Sequence, residues 1–264
     1  MDERLRREYL KAMGITVWER RDLLQHPELV EETPPPSPVT IPQTDPAHQI
    51  TNPSTQPIRQ RAQIQAVSPG YSELDWDALR ERVKNCSACG LRAGCTQTVF
   101  GVGNIQADLL IIGEAPGADE DRQGEPFVGR AGQLLNAMLL AMGFKREEVF
   151  IANILKCRPP NNRDPEAGEA LQCEPFLLRQ IELIQPRVIL SAGRISAQNL
   201  LKTDIAVGKL RGQVHRFGAQ QVPLVVTYHP AYLLRSPEQK AKSWDDLQLT
   251  LSVLREKVEP RFCG

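Results

Sequence analysis

Asp108-Leu-Leu-Ile-Ile-Gly113 is the stretch on which the fold turns. A run of strand length with no polar face cannot lie on a surface. It reads as a strand covered on both sides, the signature of a parallel sheet. Parallel neighbours need long crossovers, and the rest of the chain supplies them. Val149-Phe-Ile-Ala-Asn153, Arg187-Val-Ile-Leu-Ser191, Val214–Phe217 and Val222–Thr227 read as further strands. Trp76–Val83, Ala131–Met142, Glu166–Ile184, Ile195–Leu201 and Lys240–Lys257 read as helices, the third opening after Pro165. The alternation predicts the α/β class: a three-layer α/β/α sandwich around a central, mainly parallel four-stranded sheet. Ligands of such sheets bind at the carboxyl ends of the strands. The loops opening with Glu114, Asn153, Ala192 and Tyr228 all leave such ends.

Outward from this core, the 264 residues allow one medium domain plus an appendage. Residues 1–30 mix charged and apolar residues at helical spacing and predict a short helical element. From Thr33 to Pro69 there are nine prolines and almost no large apolar residues, so 31–71 reads as a disordered linker. The main domain is expected over 72–259. No apolar run approaches the roughly 20 residues a membrane span needs, and the charged start Met1-Asp-Glu-Arg lacks a signal-peptide core. We therefore expect the chain to stay in the reducing cytoplasm, and expect a monomer with residues 1–30 available to a protein partner.

Net charge is zero, but its distribution is uneven. Between Arg187 and Arg235 seven basic residues (Arg187, Arg194, Lys202, Lys209, Arg211, Arg216, Arg235) face Asp204 alone. Between Gly101 and Gly132 the acids dominate, with Asp108, Glu114, Asp119, Glu120, Asp121 and Glu125 against Arg122 and Arg130. A basic half beside an acidic loop suits carboxylate chemistry on a polyanion, although scattered surface charge gives the same count.

Four of the six cysteines form a pattern: Cys86-Ser-Ala-Cys89, then Cys157, then Cys173. In a reducing compartment such a set points to a metal centre rather than disulfides. Four thiolates suit zinc or an iron–sulfur cluster, and the wide spacing is unlike the paired knuckles of a zinc ribbon. Cys95 and Cys263 stand outside the pattern.

The loop after Gly113 is Gly-rich and acidic, yet it lacks the Gly-Lys-Ser/Thr ending of a phosphate loop and the spacing of a dinucleotide fingerprint. Pro230 holds His229 extended at a strand end, where the imidazole can project into the cleft. Ser191-Ala-Gly193 opens a helix whose free N–H groups suit a phosphate.

Gly113-Glu-Ala-Pro-Gly117, Pro126-Phe-Val-Gly-Arg-Ala-Gly132, Asn153-Ile-Leu-Lys-Cys-Arg-Pro-Pro160 and His229-Pro-Ala-Tyr-Leu-Leu234 together resemble the motifs of the type 4, iron–sulfur uracil-DNA glycosylases, in order over roughly Leu79–Leu254. The resemblance implies the uracil-DNA glycosylase fold and an enzyme that flips uracil out of DNA and hydrolyses its N-glycosidic bond. It implies a [4Fe-4S] cluster on Cys86, Cys89, Cys157 and Cys173. It gives Phe127 the stacking role and Asn153 the reading of uracil, donating to O4 and accepting from N3–H, a pattern cytosine reverses. His229 would donate to O2 as charge builds on the leaving base. Other branches place an Asp where this chain has Ala115, so the carboxylate duty falls to Glu114, at the sugar or the attacking water. Gly113, Glu120 and Asn161 join the base-binding set. Leu233 resembles the wedge that fills the vacated stack, with Arg235, Arg211, Ser191 and Gly193 meeting DNA. A covalent or non-catalytic uracil-DNA binder and a repair recruitment module are the alternatives. The covalent branch carries a basic insertion for which Asn153-Ile-Leu-Lys156-Cys157 leaves no room.

Overall fold

The computed structural model describes Arg7, Glu8, Lys11, Gly14 and residues 70–256. Arg7, Glu8 and Lys11 are helical. The rest of the 1–30 element, residues 31–69 of the expected linker and Cys263 lie outside the described residues.

Six strands form one sheet: β1 (Val102–Gly103), β2 (Leu109–Gly113), β3 (Phe150–Asn153), β4 (Val188–Ala192), β5 (Val214–Phe217) and β6 (Val222–Thr227), in the order β1-β3-β2-β4-β6-β5. The central four are mutually parallel. They are the predicted four-stranded core, and antiparallel edges β1 and β5 extend it to six. Every residue of β2, β3, β4 and β6 is buried, as strands covered on both faces must be.

The α-helices among residues 70–256 are α1 (Trp76–Lys84), α2 (Leu91–Gly94), α3 (Ala118–Gln123), α4 (Arg130–Met142), α5 (Ala167–Ile184), α6 (Arg194–Leu201), α7 (Val207–Leu210), α8 (Pro230–Arg235) and α9 (Lys240–Glu256). The period-two alternation of strand side chains sorts the core into two layers. Leu109, Ile111, Ile151 and Leu190 pack with Leu135 and Met138 of α4 and Leu247 of α9. Leu110, Ile112, Ala152 and Ile189 pack with Leu177 and Ile181 of α5 and Ala197 of α6. The chain steps from β2 to β3 in one direction and from β3 to β4 in the other. Crossovers of one hand therefore put α4 and α5 on opposite faces. The reversal leaves a crevice at the carboxyl end of β2, where Gly113 and Glu114 lie. A third apolar cluster (Leu79, Val83, Leu91, Phe100, Leu155, Phe176) surrounds Cys95, Cys157 and Cys173 beside the sheet.

Candidate active site

The crevice is a cavity of about 730 Å³. Its lining brings together Glu114 after β2, Phe127 before α4, Asn153 at the end of β3, Gly193 after β4, and His229 and Arg235 around α8. Residues up to 121 positions apart in sequence thus meet, because all their segments leave strands at the same end of the sheet.

Asn153 is 2% exposed, and its Oδ1 is buried with no hydrogen-bond partner. Such an atom normally costs the fold about 1–3 kcal/mol. Gly113 is the position beside it in the β2–β3 ladder. A Cβ on Gly113 would stand 2.4 Å from that Oδ1 and 2.7 Å from the Phe127 ring. Gly113 therefore belongs to the site as the gap that lets amide and aromatic ring approach.

Phe127 takes a left-handed backbone, φ +54°. Its neighbours are clamped on both sides. Glu120 Oε1 accepts from Val128 N at 3.0 Å and Gly129 N at 3.3 Å, while Oε2 accepts from Gly117 N at 3.1 Å. Arg146 donates to the Pro126 carbonyl. Glu120 lines the cavity, but its carboxylate is spent on these loop amides, so its place is that of a strut rather than a base contact.

The His229 backbone is extended, φ −66° and ψ 136°, and the residue caps α8. Ala231 N donates to His229 Nδ1 at 3.1 Å. An Nδ1 that accepts leaves the neutral ring's proton on Nε2. Burial, with the Arg235 charge second, pushes the imidazole down to about 4, against a smaller opposing effect of Glu120. The ring is a neutral donor at physiological pH. Gly193 has φ +99°, and a Cβ there would stand 2.8 Å from His229 Cβ, so only glycine fits.

Glu114 is pushed up to about 7, first by burial and then by Asp164, with Arg194 opposing. Asp164 and Arg194 pair with each other at 2.5 Å on the cavity rim. Neither was legible as a site residue, since their only sequence signal is proximity to the expected loops.

Four assignments need correction on geometry. Leu233 is fully buried in the core, and the neighbouring Leu234, 36% exposed, is the one presented to solvent. On a helix one position turns a side chain through roughly 100°, which decides which of the two leucines faces out. Arg211 is folded onto Asp246 (Nε to Oδ2 3.0 Å) and the Lys242 carbonyl, so its guanidinium braces α9 instead of waiting for a phosphate. The Ser191 hydroxyl is inside the protein, donating to Ser196 Oγ at 2.9 Å, and cannot reach DNA from there. Asn161 is exposed and outside the cavity lining, where Asn162 stands instead.

Cys86, Cys89, Cys157 and Cys173 line one small pocket with Leu155, Lys156 and Phe176. Cys173 Sγ accepts from Lys156 N at 3.3 Å and Cys86 Sγ from Ala88 N at 3.5 Å. Burial, with neighbouring sulfurs adding to it, raises the Cys157 thiol; burial also raises Cys173, to about 11, where Lys156 opposes. A cationic centre reverses that sign, because a coordinated thiol is deprotonated outright. Cys95 is buried beside this set without lining the pocket. Among the described residues no three His, Cys, Asp or Glu side chains are grouped as a metal ion requires.

Lys156 is the site's least expected residue. It is 2% exposed, and Nζ donates to the Asn153 carbonyl at 3.0 Å and to Gln180 Oε1 at 2.7 Å. Burial pushes its amine down to about 8.

Residues 100–248, more than half of the chain, match the model of the uracil DNA glycosylase superfamily. A type-4 uracil-DNA glycosylase of Archaeoglobus fulgidus is 44% identical over 179 residues, covering 65% of this chain and 89% of the relative. Those of Pyrobaculum aerophilum (42% identical, 67% of this chain and 93% of the relative covered) and Thermotoga maritima (40% identical, 69% and 95% covered) are similar to a like extent. A match of this extent, over a chain whose cavity sits at the sheet's reversal point, means that the protein belongs to the uracil DNA glycosylase superfamily.

Proposed function

We propose that the protein is a uracil-DNA glycosylase that hydrolyses the N-glycosidic bond of uracil flipped out of DNA, leaving an abasic site. The unpartnered Asn153 Oδ1 carries this reading. A buried acceptor without a partner beside the cavity suits a ligand N–H, and uracil N3–H supplies one beside the O4 that the same amide's NH₂ can meet. Cytosine offers neither in that register.

The steps follow from the groups present. The flipped ring stacks on Phe127, whose strained backbone is held by Glu120 and Arg146. As the glycosidic bond lengthens, electrons pass to the base and charge gathers on O2. The His229 Nε2–H, neutral and oriented by Ala231, donates there at no cost of deprotonating a cation. Glu114 faces the opposite partner, the cationic sugar, and its carboxylate either balances that charge or takes the proton of the attacking water. Arg235, exposed at the cavity mouth, suits a flanking phosphate.

The four pocket cysteines would hold a [4Fe-4S] cluster, a group whose ligands are cysteine thiolates. Bound there, it would serve structure: Cys86 and Cys89, just after α1, would be tied to Cys157 in the segment that follows Asn153 and to Cys173 of α5. The experiment is release of free uracil from a uracil-containing oligonucleotide by iron-loaded protein. No release under conditions where a control glycosylase works contradicts the reading.

A further inference from the structure

A lysine amine buried this deeply is expensive, because it leaves water for a few fixed acceptors. Methionine, of similar length, would fill the same space without that cost. What the amine does is specific. It donates at once to the carbonyl of Asn153 and to Gln180 Oε1, and Gln180 Nε2 in turn donates to the Phe100 carbonyl at 2.9 Å. Lys156 and Gln180 are both buried, so solvent does not share these bonds. Asn153 is the last residue of β3. Beyond it Ile154 N and Leu155 N still bond the Gly113 and Glu114 carbonyls at 3.0 Å each, while the Asn153 carbonyl turns to the lysine. At its other end Lys156 donates its backbone N–H to Cys173 Sγ and precedes Cys157.

We propose that Lys156 is a positioning residue for base recognition: its amine, anchored on Gln180, fixes the Asn153 peptide and with it the direction of the Asn153 carboxamide in the pocket. The inference rests on the base-reading role given to Asn153 above. Lys156 lines the thiol pocket and not the cavity, so it acts through Asn153 without touching the base. A carbonyl held from below leaves the Asn153 backbone one orientation, and the side-chain amide inherits it. Without the amine the peptide is free to tilt, and Oδ1 loses its aim before the fold loses its core.

The test uses the full chain, iron-loaded, as Lys156→Met, as the double variant Lys156→Met/Gln180→Leu, and as Lys156→Gln. The double variant removes both partners of the Lys156–Gln180 bond and so spares Gln180 an unmet oxygen. Inhibition by free uracil reads the Asn153 amide directly, and affinity for abasic DNA reads the phosphate contacts. Expected is a weakening of uracil inhibition by about tenfold or more in both Met variants, at wild-type iron content and abasic-DNA affinity. Lys156→Gln keeps an N–H donor and is expected to fall between them and wild type. Folded, iron-loaded variants with wild-type uracil inhibition overturn the proposal, as does failure of all three to fold, which would make Lys156 a folding residue only. Wild-type protein that releases no uracil and is not inhibited by it defeats the reading of the site itself, a result separate from any variant.

Discussion

The Phe127 and His229 rings stack with centroids 5.4 Å apart and planes 27° apart. The contact joins a loop before α4 to the start of α8, and each ring is fixed from its own side. A base lying on Phe127 therefore meets an imidazole that is already oriented and already neutral. Replacing His229 by Ala removes a preorganised donor to the leaving base and should cut uracil release by about 10²–10³-fold. Binding of abasic DNA should be almost unchanged. Single-turnover kinetics check it, and a loss below tenfold would remove His229 from this role.

The pH profile belongs to Glu114. With its carboxyl at about 7, a reaction that needs the carboxylate should rise in kcat/KM as pH increases through 7. Glu114→Gln should be slower and lack that limb. The same shift acts on stability. The folded-state value lies above the ordinary 4.5, so the native state holds the proton more tightly. That stabilisation is full below 4.5 and is lost as pH rises through about 7. Glu114→Gln should therefore melt higher than wild type at pH 8. His229 acts with the opposite sense: its lowered value removes stability as pH falls from 6.5 towards about 4. Melting curves across pH for both variants decide these signs.

Leu233 and Leu234 separate stability from DNA handling. Leu233→Ala empties a filled core position and should cost about 2–5 kcal/mol. Leu234→Ala should leave melting unchanged and lower uracil release from duplex more than from single-stranded DNA, since an exposed apolar side chain beside the cavity is the one available to the base stack. Equal rates on duplex for wild type and Leu234→Ala would return that role elsewhere.

The parallel core and the residues at its strand ends were legible because burial on both faces writes itself as unbroken apolar runs, as in Leu109–Gly113. Glu114, Phe127, Asn153 and His229 then followed from where those runs stop and from the motifs around them. β1 was not legible: it is only two residues, Val102 and Gly103, and so short a strand, with Gly101 and Gly103 at positive φ, carries no periodicity. Glu120 was placed in the base-binding set, and neither its bracing role nor that of Asp121 was legible, because the amides at Val128, Gly129, Thr96 and Gln97 that these carboxylates hold lie eight or more positions away. The enclosure of Lys156 was not legible, since the carbonyl of Asn153 and the amide of Gln180 that hold its amine are brought to it only by the fold. Arg211 shows the converse: basic residues clustered in sequence need not point the same way, and an acid from α9 claimed this one.

The cysteines give a prediction in which chemistry and structure are read together. Cys157→Ser should lower bound iron, remove the absorbance near about 400 nm expected of such a cluster, and reduce melting temperature along with uracil release. Cys95→Ser should keep iron and absorbance, since Cys95 does not line the pocket. Full iron in Cys157→Ser, or its loss in Cys95→Ser, would redraw the ligand set.

The central claim is that the bare Asn153 amide reads uracil at the end of β3. Its most direct test is inhibition by free uracil and release of uracil from an oligonucleotide, measured side by side for wild type and Asn153→Ala. The account predicts uracil release and uracil inhibition in wild type, with both weakened by about tenfold or more in the variant at unchanged melting temperature and DNA affinity. Uracil inhibition that survives Asn153→Ala intact would contradict it.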